Sequence, residues 1–75
     1  MKMIDWIEVS GSTRIVAEAY DPETETIFVR FPNGVEWYYA ACPPEVWREF
    51  SAPGQSRGKY IHDVLNFKPN GRYVG

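Results

Sequence analysis

Two side chains of this 75-residue sequence have the chemistry of a nucleophile and a base, the thiol of Cys42 and the imidazole of His62. Nucleophilic catalysis needs such a pair together with a third group that orients the base. Asp63 is the immediate neighbour of His62 on a segment with helical spacing, where adjacent side chains do not face each other. A lone small cysteine beside a sheet is usually a packing residue. We therefore predict that the protein is not an enzyme.

The residue composition also restricts which metals and cofactors the protein could bind and where in the cell it could be located. One cysteine and one histidine exclude an internal disulfide and a zinc site built from Cys and His ligands. We expect no metal and no cofactor. The opening residues, MKMIDWIEVS, contain charges and no apolar run long enough for a signal peptide or a membrane span. The sequence therefore predicts a cytoplasmic protein without a membrane partner.

The charge is distributed unevenly along the chain. Residues 1–49 hold four basic and nine acidic residues, a net charge of −5, whereas residues 50–75 hold four basic residues and one acidic residue, a net charge of +3. The basic residues of this last third are Arg57, Lys59, Lys68 and Arg72. A local basic surface of this kind predicts a phosphate-bearing partner. The alternative is a set of solvated charges on a helix and a tail.

One stretch of this basic third, SRGK at residues 56–59, has the composition of a phosphate-binding turn. It combines the start of an expected helix, where backbone N–H groups are free, with Gly58 and the cations Arg57 and Lys59. The alternative is a helix capped by Ser56, in which Gly58 only permits a tight turn.

The elements that must position these groups follow from alternation and from turn residues. Strands are predicted over 14–20, 26–31 and 35–40, with a possible fourth over 3–9. Short helices are predicted to begin with Pro44 and after the cap Ser56. The chain is therefore predicted to be one domain over residues 1–75, of the α+β class, in which a three- or four-stranded antiparallel meander precedes two short helices on one face.

The turn PNG, residues 32–34, decides which side of the sheet each ring of Trp37, Tyr38 and Tyr39 occupies. A two-residue turn and a three-residue turn give opposite faces. We favour the three-residue turn, because it suits Pro32 and Gly34. This register predicts a cross-strand pair of Arg30 with Glu36. It also predicts a core of Ile27, Val29, Phe31, Trp37, Tyr39, Trp47, Phe50 and Leu65.

In this register Tyr38 is left on the outer face, opposite Phe28. Together with the neighbouring Arg30 these rings would form a platform on which nucleic-acid bases stack. The alternative is that the N-terminal strand or a partner covers them.

The order of these motifs resembles that of the KTSC domain, a family named after a C-terminal segment of some lysyl-tRNA synthetases and also seen as free-standing bacterial or phage proteins. The resemblance covers about residues 9 to 68. It is carried by Ser12-Thr13 with Ile15 and Tyr20-Asp21, by Ile27, Val29 and Phe31 before Gly34, by Trp37 and Tyr39, by Pro43-Pro44 with Val46 and Trp47, and by Ser56, Gly58 and Tyr60. Two features depart from the pattern: Ile61-His62 replaces an aromatic-Asn pair, and Pro53-Gly54 lengthens the preceding loop.

The family that the sequence resembles has no established reaction, so the resemblance implies none. The attachment of the domain to some lysyl-tRNA synthetases suggests that it binds RNA. The leading hypothesis is an accessory RNA-binding or other nucleic-acid-binding module, with Phe28, Arg30 and Tyr38 at the bases and Arg57, Gly58, Lys59, Lys68 and Arg72 at the phosphates. The alternative is a protein-protein interaction module, such as a phage-encoded binder of a host factor. A small-ligand site around Trp47 and Tyr60 ranks last.

Overall fold

The computed structural model describes residues 3–74. Its five strands form one antiparallel sheet in chain order: β1 (Ile7–Glu8), β2 (Ala17–Asp21), β3 (Thr26–Arg30), β4 (Glu36–Tyr39) and β5 (Asn70–Arg72). Between β4 and β5 lie the helices α1 (Pro44–Phe50) and α2 (Arg57–Asp63) and a 3₁₀ helix (Leu65–Phe67). The predicted α+β class is confirmed.

The β3–β4 hairpin has the three-residue turn. The backbone N–H of Phe31 donates to the carbonyl oxygen of Val35 at 2.9 Å, and Gly34 has a φ of +89°, the left-handed conformation that a glycine adopts without strain. The resulting pairs are Ile27 with Tyr39, Phe28 with Tyr38, Val29 with Trp37 and Arg30 with Glu36. The predicted register is therefore confirmed, and Tyr38 lies on the face opposite Trp37 and Tyr39.

Both helices begin at the residues that the sequence indicates. Pro44 is the first residue of α1, and the side chain of Ser56 caps α2 by accepting the backbone N–H of Lys59 at 3.3 Å. The ring of Trp47 on α1 stacks on the ring of Tyr20 on β2, with centres 5.3 Å apart. These contacts fix α1 against the sheet.

The helices pack on one face of the sheet, which we call the inner face; the opposite side is the outer face. The buried core cluster consists of Ile15, Ile27, Val29, Tyr39, Cys42, Phe50, Tyr60, Ile61 and Leu65. Three residues predicted in the core, Phe31, Trp37 and Trp47, pack against this cluster but are only half-buried. They lie at its margin, so part of each ring stays in contact with solvent.

The number of strands differs from the prediction, because β5 follows the helices. Its residues, Asn70, Gly71 and Arg72, have little intrinsic preference for strands. The strand forms because the 3₁₀ helix returns the chain to the edge of β4, where the N–H of Ala40 donates to the carbonyl oxygen of Pro69 at 2.7 Å. Pairing with β4, rather than side-chain composition, therefore creates the fifth strand.

Candidate nucleic-acid interface

The outer face carries the aromatic pair predicted as a stacking platform. Phe28 lies opposite Tyr38, but Phe28 is only 7 % exposed. Arg30 is engaged as well: its Nε donates to Glu36 at 2.8 Å, and its guanidinium lies 4.5 Å from the centre of the Trp6 ring. Phe28 therefore offers no open ring face, and Arg30 already has a carboxylate partner.

The C-terminal segment covers this pair. The edge of the Tyr73 ring packs on Phe28, with ring centres 4.9 Å apart and an angle of 66° between the planes. Gly71 lies beneath Tyr38, because a Cβ added at this glycine would come within 3.1 Å of the tyrosine ring. Tyr38 is half-buried as a result. The cover expected from the N-terminal strand or a partner thus comes largely from β5 and the residue after it.

Arg57 is the most enclosed of the predicted phosphate ligands. Its Nε and Nη2 donate to the two carboxylate oxygens of Glu18, at 3.0 and 3.1 Å. Its other donors reach the carbonyl oxygens of Ser51, Ala52 and Gln55 at 3.1 to 3.4 Å. All five N–H donors of a guanidinium are thereby used. This geometry corrects the prediction: Arg57 ties the loop between the helices to β2 and has no donor free for a phosphate.

Lys59 remains exposed on α2. Its Nζ donates to Asp63 at 2.8 Å, one helical turn away, and His62 Nδ1 lies 3.0 Å from the same carboxylate. Hydrogen bonds from Lys59 and His62 lower the pKa of Asp63, and the bond with Asp63 raises the pKa of Lys59. Exposed pairs of this kind are worth little, because water and salt screen them. Lys59 can exchange this partner for another anion.

The four basic residues of the last third do not converge on one patch. Arg57 is bonded to β2, whereas Arg72 lies on β5 at the far edge of the sheet. Three inter-strand spacings separate these two strands, about 14 Å. The convergence that a single phosphate-binding patch would need is not found among these residues.

A different set of aromatic and cationic side chains lies on the inner face. Phe31 and Trp37 are half-buried and diagonal to each other across the hairpin. The guanidinium of Arg14 lies 5.9 Å from the centre of the Phe31 ring, and Arg72 is directly opposite Trp37 in the pairing of β4 with β5. We call Phe31, Trp37, Arg14 and Arg72 the aromatic rim. Its rings have the chemistry to stack on bases, and its arginines have the charge to bind phosphates.

The orientation of Trp37 is fixed from β5. Its indole Nε1 donates to Asn70 Oδ1 at 3.0 Å, and Asn70 Nδ2 in turn donates to the carbonyl oxygen of Lys68 at 2.9 Å. Within residues 3–74, neither Arg14 nor Arg72 has a carboxylate at ion-pair distance. The rim thus combines an oriented ring with two arginines that no described acidic residue neutralises.

Three members of the rim are not indicated as binding residues by the sequence. The alternation with Val29 places Phe31 and Trp37 in the core, and Arg14 falls in a predicted strand without any other signal. The position of Arg14 directly after Ser12-Thr13, the hydroxyl pair that carries the family resemblance, is the signal that could have drawn attention to it.

A polar cleft of about 420 Å³ lies beside Arg14. One wall is the loop between β1 and β2, and the other is the loop that leads into α2. The lining residues are Val9, Ser10, Gly11, Ser12, Thr13, Arg14, Gly54, Gln55, Ser56, Arg57 and Gly58. A Cβ added at Gly58 would lie 3.3 Å from the Cβ of Arg14, so the glycine allows the two walls to approach closely. Two motifs that are distant in sequence, Ser12-Thr13 and Ser56 with Gly58, therefore meet at one cleft.

The groups considered for nucleophilic catalysis are in different environments. Cys42 is fully buried, its thiol lies 3.4 Å from the carbonyl oxygen of Tyr39, and burial raises the pKa of the thiol. His62 is exposed on α2, where its ring nitrogen contacts Asp63. A protonated, enclosed thiol is a poor nucleophile.

Residues 3–74 contain no group of three or more His, Cys, Asp or Glu side chains that could hold a metal ion. No helix in this range has both the length and the apolar character needed to cross a membrane.

The chain is similar to known proteins in sequence and in structure. The model of the KTSC domain family matches residues 11–68. A protein of Tsukamurella paurometabola is 33 % identical over 63 residues, which cover 84 % of this chain and 90 % of that protein. The crystal structure of a KTSC domain protein from Yersinia pestis matches with a TM-score of 0.82 and 22 % identity, over 96 % of this chain and 100 % of that one. The chain belongs to the KTSC domain family, as the order of its motifs predicts.

Proposed function

We propose that this KTSC domain is a non-catalytic accessory module that binds single-stranded RNA at the aromatic rim. The observation that carries the proposal is the placement of two half-exposed rings, Phe31 and Trp37, between Arg14 and Arg72. Base stacking on such rings contributes about 1–3 kcal/mol per base, and each arginine supplies a phosphate contact.

A single strand is the form of nucleic acid that suits these groups. In a duplex the faces of the bases are covered by their neighbours, whereas an unpaired base can leave the stack and lie on an aromatic ring. Trp37 is already held in place by Asn70, so little side-chain freedom is lost when a base stacks on it. The cytoplasmic location predicted from the sequence fits an RNA partner.

The rim also predicts the salt dependence of binding. Two arginines that each neutralise one phosphate give a log–log slope of affinity against salt of about −1.4 for a single strand. The exposed Lys59 lies outside the rim and is paired with Asp63, so it is not counted. The small number of cations, in a protein of net charge −2, predicts modest affinity that is lost as the salt concentration rises.

The test is a titration of a fluorescently labelled single-stranded RNA at several salt concentrations. Arg72→Gln removes one rim cation at an exposed position, and the salt slope should become shallower by about 0.7. Arg48→Gln is the matched control, because Arg48 is an exposed arginine on α1, outside the rim. Equal effects of the two substitutions, or no binding by the unmodified protein at low salt, would contradict the proposal.

Stacking is tested separately with Trp37→Leu, which keeps an apolar residue beside the core. Affinity should fall by about 1–3 kcal/mol while circular dichroism shows a folded protein. A folded variant that keeps full affinity would exclude Trp37 as a stacking residue.

A protein partner is the second candidate, favoured by exposed apolar side chains on either side of β5. Phe67 is 84 % exposed and Val74 is 86 % exposed. Aromatic rings are common anchors of protein interfaces. A pull-down from cell extract after nuclease treatment tests this: a protein captured by the unmodified chain and not by Phe67→Ser would support it, and capture that disappears with nuclease would support RNA.

A further inference from the structure

The polar cleft beside the aromatic rim has the chemistry of an anion site. We propose that it binds the terminal phosphate group of a nucleic-acid strand or nucleotide. This inference rests on the proposed function, since it places the end of the strand in the cleft while a base occupies the rim.

The charge of the lining favours an anion. Arg14 and Arg57 both line the cleft, and no described residue of the lining is acidic. The charge of Arg57 is offset by Glu18, whereas Arg14 has no carboxylate partner at ion-pair distance within residues 3–74. The cleft therefore keeps one positive charge that the described carboxylates do not neutralise.

The hydroxyl groups of the cleft are left as hydrogen-bond donors. Ser12 Oγ accepts the backbone N–H groups of Arg14 and Ile15, at 3.1 and 3.4 Å. A serine hydroxyl has two acceptor positions and one donor. With both acceptor positions filled, Ser12 can only donate to a ligand. Ser56 is similar, because its oxygen accepts the N–H of Lys59 at 3.3 Å and its proton stays available among the described contacts. A phosphate group, which accepts hydrogen bonds, complements such donors.

The shape of the cleft favours a phosphate at the end of a strand. A volume of about 420 Å³ lies within the range of small-molecule sites, about 300–1,000 Å³. Donors stand on both walls, with Ser12 on one loop and Ser56 on the other. A terminal phosphate has three free oxygens and can accept from both walls, whereas an internal phosphodiester has two.

Arg14 connects the cleft to the rim. It lines the cleft, and its guanidinium also lies 5.9 Å from the centre of the Phe31 ring. A nucleotide with its phosphate in the cleft can therefore share Arg14 with a base that stacks on the rim.

The experiment uses Thr13→Glu, which adds a carboxylate to the cleft at an exposed position, and Thr13→Gln, a neutral side chain of the same length, as the matched control. Amide resonances of isotope-labelled protein are followed during titration with inorganic phosphate and with AMP. We expect shifts at residues 10–14 and 54–58 in the unmodified protein and in Thr13→Gln, and none in Thr13→Glu. Shifts confined to other residues, or equal shifts in both variants, would overturn the proposal.

The same proteins are then titrated with one tetranucleotide carrying either a 5′-phosphate or a 5′-hydroxyl group. The phosphorylated strand should bind about tenfold more tightly to the unmodified protein and to Thr13→Gln, as expected of one charge-assisted hydrogen bond, and about equally tightly to Thr13→Glu. Equal affinity of both strands for the unmodified protein would overturn the assignment of the strand's end. Binding of AMP without any binding of the 5′-hydroxyl strand would instead refute the proposed function and support the cleft as a phosphate site.

Discussion

The two faces of the sheet both carry neighbouring aromatic rings on the hairpin of β3 and β4, yet only the outer pair includes a buried ring. On the outer face, Phe28 is buried beneath Tyr73. On the inner face, Phe31 and Trp37 lie at the margin of the core and are half-buried, beside Arg14. Phe28 therefore serves the fold, whereas both inner rings keep ring surface that a ligand can contact.

The arginines show the same contrast. Arg57 uses every donor of its guanidinium to hold Glu18 and the loop between the helices. Arg72 is exposed on the edge strand opposite Trp37. A ring or a cation in so small a domain is available for binding only where no distant segment requires it for packing. Residue type alone therefore does not identify the binding surface.

The largest expected effect comes from truncating the outer ring. Phe28→Ala should lower the free energy of unfolding by about 3–5 kcal/mol, because it leaves a cavity under Tyr73. Phe31→Ala should cost about 1–2 kcal/mol, since part of that ring already contacts water. Urea unfolding of both variants measures the difference. Phe67→Ala, at an exposed position, is the control and should change stability by less than about 0.5 kcal/mol.

Similar losses for Phe28→Ala and Phe31→Ala would remove the contrast between the two faces. A loss of RNA affinity in folded Phe31→Ala, with stability nearly retained, would strengthen the contrast between the two faces.

The arginines give the next largest effect. Arg57→Met should destabilise the protein by about 2–3 kcal/mol, because it leaves the buried carboxylate of Glu18 without its partner and frees three carbonyl oxygens. Arg72→Met should change stability by no more than about 0.5 kcal/mol, as expected of an exposed strand position. Thermal unfolding of the two variants is the measurement. A fully stable Arg57→Met protein would mean that Arg57 is not a structural residue.

The features that the sequence predicted correctly depend on neighbouring residues. The turn Pro32-Asn33-Gly34 sets the register of β3 and β4, because the proline and the glycine each restrict a backbone angle within the turn itself. The starts of both helices likewise follow from one local residue each, Pro44 and Ser56. The fold class and the face on which each hairpin side chain lies could therefore be predicted from the sequence.

The features that the sequence did not predict depend on distant contacts. Arg57 and Glu18 are 39 residues apart, and Trp37 and Asn70 are 33 residues apart. No local pattern indicates that these groups meet. The strand β5 has the same origin, since Asn70, Gly71 and Arg72 become a strand only beside β4. The aromatic rim and the cleft are assembled by such pairings, which explains why the predicted site residues were dispersed.

The smallest predicted effect concerns the packing of β5 against Tyr38 on the outer face. Gly71→Ala alone should destabilise the protein by about 1 kcal/mol: an alanine is favoured over glycine in a strand, but its Cβ would come within 3.1 Å of Tyr38 and displace the ring. In a Tyr38→Ala background this conflict is gone, so Gly71→Ala should be neutral or stabilising by about 0.5 kcal/mol. The coupling energy between the two positions, from a double-mutant cycle in urea, is then about 1–1.5 kcal/mol.

Tyr38→Ala by itself also distinguishes RNA binding at the outer face from RNA binding at the inner face. We expect a loss of about 1 kcal/mol of stability, because the ring packs over the glycine of β5, and no change in affinity for single-stranded RNA, because the ring lies opposite the aromatic rim. The hypothesis from the sequence, in which Tyr38 stacks on a base, instead predicts a loss of affinity of about 1–3 kcal/mol. Anisotropy titrations of Tyr38→Ala and Trp37→Leu side by side decide between them, since only the face that contacts RNA should respond.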